Sequence, residues 1–412
     1  MHDQGRIELL PFEEAVAVVL SRLRASLANL LASLPGRVVR AGDLRKILRL
    51  DYKLCWKATR VARAADPLAA AIHVPTPAGM RSLLEAAAAS GVPAEVVGEV
   101  AAAAADFEEL VSSHAGDRSS FDAMVSGFAG GTGAITLSQR RLSFRLNSCI
   151  WGAQARTQLK CGLFCPSGSP DRVDVAQLNG LIRLRQLRAG ARLVVSRTRI
   201  SDDKGEPIEG LVRQPLDVGG RTGAGVGLLE EFCSQPLPTI RWTEAGGGFV
   251  HGELEVAAVG NRGALTIVDG SFSPAAVPRY RAEFNWYNQL NARVHVPCEV
   301  LLVDLLIHCD TYEPGVVSPR VYVYGELFPG PPWPAPSRAR DLLPITESVV
   351  YLGRGPSVMR TSDVPRYPEM IQYVLDRLGW AGEHFDVYRV RLAYPVTPTT
   401  VTLRFELPEP PR

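Results

Sequence analysis

Five side chains of the types that bind zinc lie within a short stretch of the sequence. His295 and Cys298 occur in HVPC, and His308, Cys309 and Asp310 follow in HCD. Imidazole nitrogens, thiolates and carboxylates are the usual zinc ligands in proteins. The run before HCD is apolar and strand-like, and a strand directs neighbouring side chains to opposite faces, so Cys309 is expected to point away from His308. We therefore interpret these residues as buried cysteines and structural histidines, and the sequence predicts no metal site.

Motifs for covalent or phosphate chemistry are not present in complete form. The sequence contains neither G-x-S-x-G nor H-E-x-x-H. The Gly-rich run GGRTGAGVG at 219–227 lacks GK[ST] and follows no clean strand, so it is interpreted as a structural loop. The sequence therefore predicts no catalytic residue and no cofactor. An enzyme in the C-terminal region would be supported only by the size of that region and by a pocket that the aromatic segment with Tyr280, Phe284, Trp286 and Tyr287 could line.

Residues 37–63 carry the strongest local concentration of positive charge that has a recognisable spacing. The segment contains nine basic and two acidic residues, a net charge of +7. Its apolar residues could form one small core between two short helices that cross at a turn. Asp51 is placed to cap the second helix. The apolar positions are Leu44, Leu48, Leu50, Cys55 and Ala58.

This apolar skeleton resembles the helix-turn-helix DNA-binding domain of bacterial transcription regulators. Arg45 stands where such motifs have a small residue, and Arg49 stands at the turn position where glycine is common. The resemblance implies that the second helix enters the major groove of double-stranded DNA while flanking cations contact phosphates. The residues expected on the DNA-facing side are Tyr52, Lys53, Lys57 and Arg60, and those expected to contact phosphates are Arg40, Lys46 and Arg63.

Two other interpretations of the basic segment stay open. It could be a charged, solvated helical hairpin, or it could dock on an acidic protein partner in a structural or assembly protein. The DNA-binding hypothesis predicts a regulator that forms homo-oligomers, because paired half-sites require two copies of the reading helix.

The elements that must position this segment divide into two regions, so that the expected fold class is α+β. Residues 1–118 have helical periodicity and form an expected all-helical domain with the helix-turn-helix at 37–63. Residues 119–134 are Gly-rich and are interpreted as a linker. The pattern of residues 135–412 predicts a β-rich sensing or oligomerisation domain, which could consist of two subdomains with a boundary near residue 222. Inserted helices are expected near 175–190 and 367–380.

The overall charge hides a local asymmetry. The 412 residues carry 45 Lys and Arg against 43 Asp and Glu, a net charge of +2, which excludes a uniformly basic protein. Residues 131–221 nevertheless carry 15 basic and 7 acidic side chains, a net charge of +8. Seven scattered cysteines suggest free thiols and a reducing cytoplasm. Charges interrupt the apolar runs, so no membrane span is expected.

Overall fold

The computed structural model describes residues 11–66, 70–128, 135–190, 193–200, 210–217, 222–245, 249–255, 258–282, 286–313, 315–325 and 341–411. The chain forms two compact units, Met1–Gly133 and Ala134–Arg412. The first is helical and the second is built on mixed β-sheet, which confirms the α+β fold class.

Six helices make up the described part of the helical unit. Their apolar faces meet in one core, and the long helices α1 and α5 contribute about half of its buried leucine, valine and alanine side chains. Helical spacing of these residues explains why the sequence pattern predicted the region well. The helices are α1 Phe12–Ala32, α2 Ala41–Leu48, α3 Tyr52–Ala62, α4 Pro77–Ala89, α5 Ala94–Ala115 and α6 Arg118–Phe128.

The predicted linker at 119–134 is wrong over most of its length. Residues 118–128 form α6, which begins next to Asp117, whose carboxylate accepts hydrogen bonds from the amides of Ser119 and Ser120. Phe121 is fully buried and packs edge-on against Phe107 of α5 with ring centroids 5.3 Å apart. These contacts make α6 part of the helical core, because burying the ring outweighs the weak helix propensity of a Ser- and Gly-rich segment. Residues 129–134 lie outside the described residues.

Helix α1 is long and apolar enough to cross a membrane by length and composition alone. Half of the most apolar 18-residue stretch of this helix is buried inside the protein, and Val16, Leu20 and Leu27 lie in the core of the helical unit. A core helix passes the same test, so the absence of a membrane span stays a prediction.

Helix α7 and fifteen strands form the framework of the described β-rich unit, with a further helix, α8, near its end. Helix α7 spans Leu137–Trp151 and was not predicted, whereas α8 spans Tyr367–Leu378 and confirms the helix expected at 367–380. The strands are β1 Ala153–Pro166, β2 Arg172–Gln186, β3 Leu193–Thr198, β4 Gln214–Pro215, β5 Thr222–Gly223, β6 Val226–Leu228, β7 Ile240–Ala245, β8 Phe249–Leu254, β9 Leu265–Pro278, β10 Tyr287–Val294, β11 Cys298–His308, β12 Arg320–Tyr324, β13 Val350–Arg354, β14 Phe385–Ala393 and β15 Thr399–Glu406.

The largest sheet of the described residues has the strand order β13-β14-β11-β1-β2-β9-β6-β5, and β4 also pairs with β9. Strands β1 and β11 are parallel, and the other pairings in this sheet are antiparallel. One face packs on β10 and β15 of a three-stranded sheet and on β3 of another, and the opposite face packs on α8. The β-rich unit does not divide near residue 222, because β2 before that point pairs with β9 after it.

The helix expected near 175–190 is wrong, because residues 172–186 form β2. Val175 and Leu181 face one core, whereas Leu178 and Ile182 face the other, so that both faces of the strand are buried. An apolar segment buried on both sides has no clear period of two in its sequence, and only pairing with β1 and β9 selects the extended form.

Candidate nucleic-acid interface

Helices α2 and α3 form a compact hairpin joined by three residues, 49–51. Leu44 and Leu48 of α2 and Cys55 and Ala58 of α3 are all buried, and Leu50 of the connection packs against the same core. The structure therefore brings together the five apolar positions that the sequence spacing selected.

Asp51 caps α3 as predicted. Its carboxylate accepts hydrogen bonds from the backbone amides of Lys53 at 2.8 Å and Leu54 at 3.3 Å. These bonds satisfy amides of the first helical turn that have no partner within the helix. The cap fixes where α3 begins, and so it fixes which side chains stand at the amino-terminal end of this helix.

The backbone conformation of Arg49 explains why glycine is common at this turn position in helix-turn-helix motifs. Its backbone lies in the left-handed region, with φ 55° and ψ 33°, and its amide donates to the carbonyl of Arg45 at 2.9 Å. A residue with a side chain is less stable in the left-handed backbone conformation by about 1–2 kcal/mol, whereas glycine adopts this conformation freely. The sequence shows the unusual residue at this position, but only the backbone angle shows that the position is strained.

The Arg49→Gly variant should stabilise the hairpin by about 0.5–1 kcal/mol, because relief of strain exceeds the entropy that glycine gains in the unfolded chain. Hydrogen exchange of the α2 and α3 amides measures this local free energy. Arg45→Gly, at an exposed position inside α2, is the matched control and should destabilise by about 1 kcal/mol. Equal effects of the two variants would contradict the strain at residue 49.

The predicted DNA-facing residues share the exposed side of α3. Tyr52 is 52% exposed, Lys53 and Arg60 are exposed, and Lys57 is half-buried. Lys53, Lys57 and Arg60 recur at helical spacing and therefore lie on one face. Trp56 is 41% exposed on the same helix, and its ring meets His73 edge-on at 5.1 Å between centroids.

Arg40, Lys46 and Arg63 are also exposed, but Arg63 has a structural role as well. Its guanidinium donates to the backbone carbonyls of Val38, at 2.7 Å, and Val39. These bonds tie the end of α3 to the segment that leads into α2. Arg63 therefore supports the hairpin, in addition to any phosphate contact.

No salt bridge of the described residues in the helical unit involves a cation of the hairpin, although the carboxylate of Asp43 lies near the charges of Arg40 and Lys46. The ion pairs of the described residues of the helical unit join Arg22 to Asp106 and Arg118 to Asp122, outside the hairpin. Burial lowers the pKa of His73, and the charges of Arg60 and Lys57 lower it further. The basic side of α3 thus has the electrostatic character expected for a surface that binds polyanions.

Three residues that were not predicted to be metal ligands lie close together in the β-rich unit. Ligand atoms of His308, Cys309 and Asp310 all lie within 4.8 Å of one another. The expectation that Cys309 points away from His308 is wrong, because β11 ends at His308 and the alternation of a strand does not continue into the following turn.

His295 and Cys298 do not join this cluster. Cys298 is fully buried, and the partly buried His295 donates to the carbonyl of Val194 at 2.7 Å; these contacts support their structural interpretation, which stays a prediction.

A buried polar row crosses β1, β2 and β9. The ammonium group of Lys160 donates to Asn179 Oδ1 at 2.9 Å, and the amide nitrogen of Asn179 donates to Asp269 Oδ1 at 2.8 Å. Burial lowers the pKa of Lys160 to about 8 and raises the pKa of Asp269 to about 6. The adjoining cavity measures about 20 Å³, room for one water rather than a substrate. We interpret this row as structural.

Comparisons with known proteins give no relative from which a function could be carried over. No family model matches the chain, and no curated protein matches it. Among solved structures, the chain is similar to a putative protease from Parabacteroides distasonis, with 8% sequence identity and a TM-score of 0.28. The match covers 62% of this chain and 41% of that chain. A TM-score this low supports no inference about shared fold or activity.

Proposed function

We propose that the protein is a cytoplasmic DNA-binding transcription regulator that binds duplex DNA through the basic face of α3. The observation that carries the proposal is the capped α2–α3 hairpin, whose exposed cations form no salt bridge among the described residues of the helical unit. Lys53 and Tyr52, in the first turn of α3, are placed where helix-turn-helix proteins contact base edges. Arg40, Lys46 and Arg63 supply charge for phosphates on either side.

The β-rich unit is proposed to bind an effector or to form the homo-oligomer. Helix-turn-helix proteins usually act as dimers because two recognition helices then read half-sites one helical turn apart. Sedimentation of the full-length chain at micromolar concentration tests the predicted homo-oligomer, because it measures the mass of the assembly in solution.

Binding to a random 30-base-pair duplex, followed by fluorescence anisotropy, tests the main proposal. Neutralisation of five phosphate charges, by Lys57 and Arg60 of the DNA-facing side together with Arg40, Lys46 and Arg63, predicts an affinity about 500-fold lower at 200 mM than at 50 mM salt. Polyglutamate of equal charge should bind more weakly, because it lacks the spacing of the phosphates and the groove that α3 fits. Failure to bind the duplex at 50 mM salt would overturn the proposal.

Tighter binding of polyglutamate than of duplex would instead favour the alternative, in which the hairpin of an assembly protein docks on an acidic partner. The same exposed cations would serve either role. Salt dependence alone does not separate the two hypotheses, so the comparison of the two polyanions is essential.

A further inference from the structure

A cavity of about 250 Å³ lies at the carboxyl end of β11, in the β-rich unit. His308 and Cys309 line it, together with polar side chains from β13 and β14, including Arg354 and Asp386. This volume approaches that of a small-ligand pocket and is far larger than the space beside the Lys160 row. Two members of the convergent cluster, His308 and Cys309, therefore border a space that a small molecule could enter.

The spacing of the three side chains fits a single metal ion. Cys309 Sγ lies 3.6 Å from Asp310 Oδ1, and His308 Nδ1 lies 3.9 Å from Asp310 Oδ2. Zinc–ligand bonds of about 2.0–2.3 Å at tetrahedral angles place neighbouring ligand atoms about 3.3–3.7 Å apart. The Cys309–Asp310 separation is in this range, and the His308–Asp310 separation is about 0.5 Å longer than a nitrogen and an oxygen ligand require, so a small rotation of the exposed Asp310 side chain would complete the geometry.

The imidazole of His308 is oriented with an unprotonated nitrogen toward this cluster. The backbone amide of Asp310 donates to His308 Nδ1 at 3.2 Å, and a nitrogen that accepts a hydrogen bond carries a lone pair rather than a proton. The rings of Phe385 and His384 pack edge-on against His308 at 5.2 and 5.3 Å between centroids and limit its rotation. A metal ion would replace the amide hydrogen bond and use the same lone pair.

We propose that His308, Cys309 and Asp310 bind one Zn²⁺ ion and leave its fourth position open to the cavity. A thiolate and an imidazole favour zinc over Mg²⁺ or Ca²⁺, which prefer oxygen ligands alone. One thiolate and one carboxylate balance the charge of the ion. Three protein ligands beside a cavity are typical of sites in which water or a substrate oxygen completes the coordination.

Titration of the reduced full-length protein with Co²⁺, a coloured substitute for zinc, tests the site. One equivalent should bind and produce the ultraviolet charge-transfer band of a thiolate–cobalt bond, and Zn²⁺ should then displace it. Cys309→Ser should abolish the band and weaken binding more than about 100-fold, beyond the loss typical of residues that only orient ligands. Cys149→Ser, at an exposed thiol in α7, is the matched control and should change neither property.

Asp310→Asn provides a second variant that preserves the fold, since the Asp310 side chain is 76% exposed. It should weaken Co²⁺ binding at least tenfold while leaving the far-ultraviolet circular dichroism unchanged. Absence of saturable Co²⁺ binding, or a charge-transfer band that survives Cys309→Ser, would overturn the proposal.

Discussion

The Lys57→Ala/Arg60→Ala variant is expected to bind duplex DNA about 10- to 100-fold more weakly than the unchanged protein at 100 mM salt. Each cation lost from the DNA-facing side leaves one phosphate charge without neutralisation and removes the release of about 0.9 counterion, which is worth roughly eightfold at this salt concentration. The slope of log affinity against log salt should also fall by about 2. Alanine favours the helix, so α3 should remain folded.

Arg22→Ala/Arg81→Ala is the control for this variant. It removes the same charge from exposed positions of the helical unit outside the hairpin, on α1 and α4. The control should keep its affinity within about threefold, because neither residue belongs to the hairpin and Arg22 is paired with Asp106 of α5. Equal losses in the two double variants would remove Lys57 and Arg60 from the proposed interface.

The Arg389→Met variant should destabilise the β-rich unit by about 3–5 kcal/mol, because it leaves a buried carboxylate without its partner. Arg389 Nε and Nη2 donate to the two carboxylate oxygens of Asp304 at 2.8 and 2.7 Å. The side chain of Asp304 is 0% exposed. For a unit of this size, the loss corresponds to a melting temperature about 10 °C lower in a thermal unfolding experiment.

The exposed pair between Arg354 and Asp386 is the matched control. Arg354 also forms a two-pronged contact, with nitrogen–oxygen distances of 2.8 and 3.4 Å, but its side chain is 55% exposed. Solvent screening makes such pairs worth about 0–1 kcal/mol, so Arg354→Met should have little effect. The double variant Asp304→Leu/Arg389→Met should regain most of the stability lost in Arg389→Met. A double variant less stable than Arg389→Met would contradict the role assigned to the unpaired charge.

The loss of stability caused by Arg389→Met should depend on pH. Burial already raises the pKa of Asp304, and removal of the guanidinium raises it further. The folded variant then binds more protons than the unfolded chain at pH values above the ordinary carboxyl pKa, so its stability falls as pH rises. Unfolding in urea should therefore show a smaller difference between the variant and the unchanged protein at pH 5 than at pH 8.

The candidate site was accessible from the sequence because its determinants are local. Leu44, Leu48, Cys55 and Ala58 follow the spacing of the helix-turn-helix skeleton, and Asp51 marks the start of the second helix. Helix α8 was predicted for the same reason, since its apolar residues recur at a helical period.

Elements shaped by distant partners were predicted poorly. Residues 172–186 form a strand because β1 and β9 pair with them, and α6 forms where the core accommodates Phe121. Strand β1 directly precedes the 172–186 segment, but β9 begins only at Leu265, far from it in the sequence. Local propensity is a small energy per residue, so burial against such partners overrides it.

The amino-acid sequence by itself determined the two-part α+β division, the hairpin core and the concentration of positive charge, because each depends on residues within a few turns of one another. Only the tertiary structure decided that Arg49 has a left-handed backbone, that Arg63 ties the hairpin together and that Cys309 approaches His308. These features depend on chain direction at turns and on packing between segments far apart in the sequence, which no local pattern of residue types specifies.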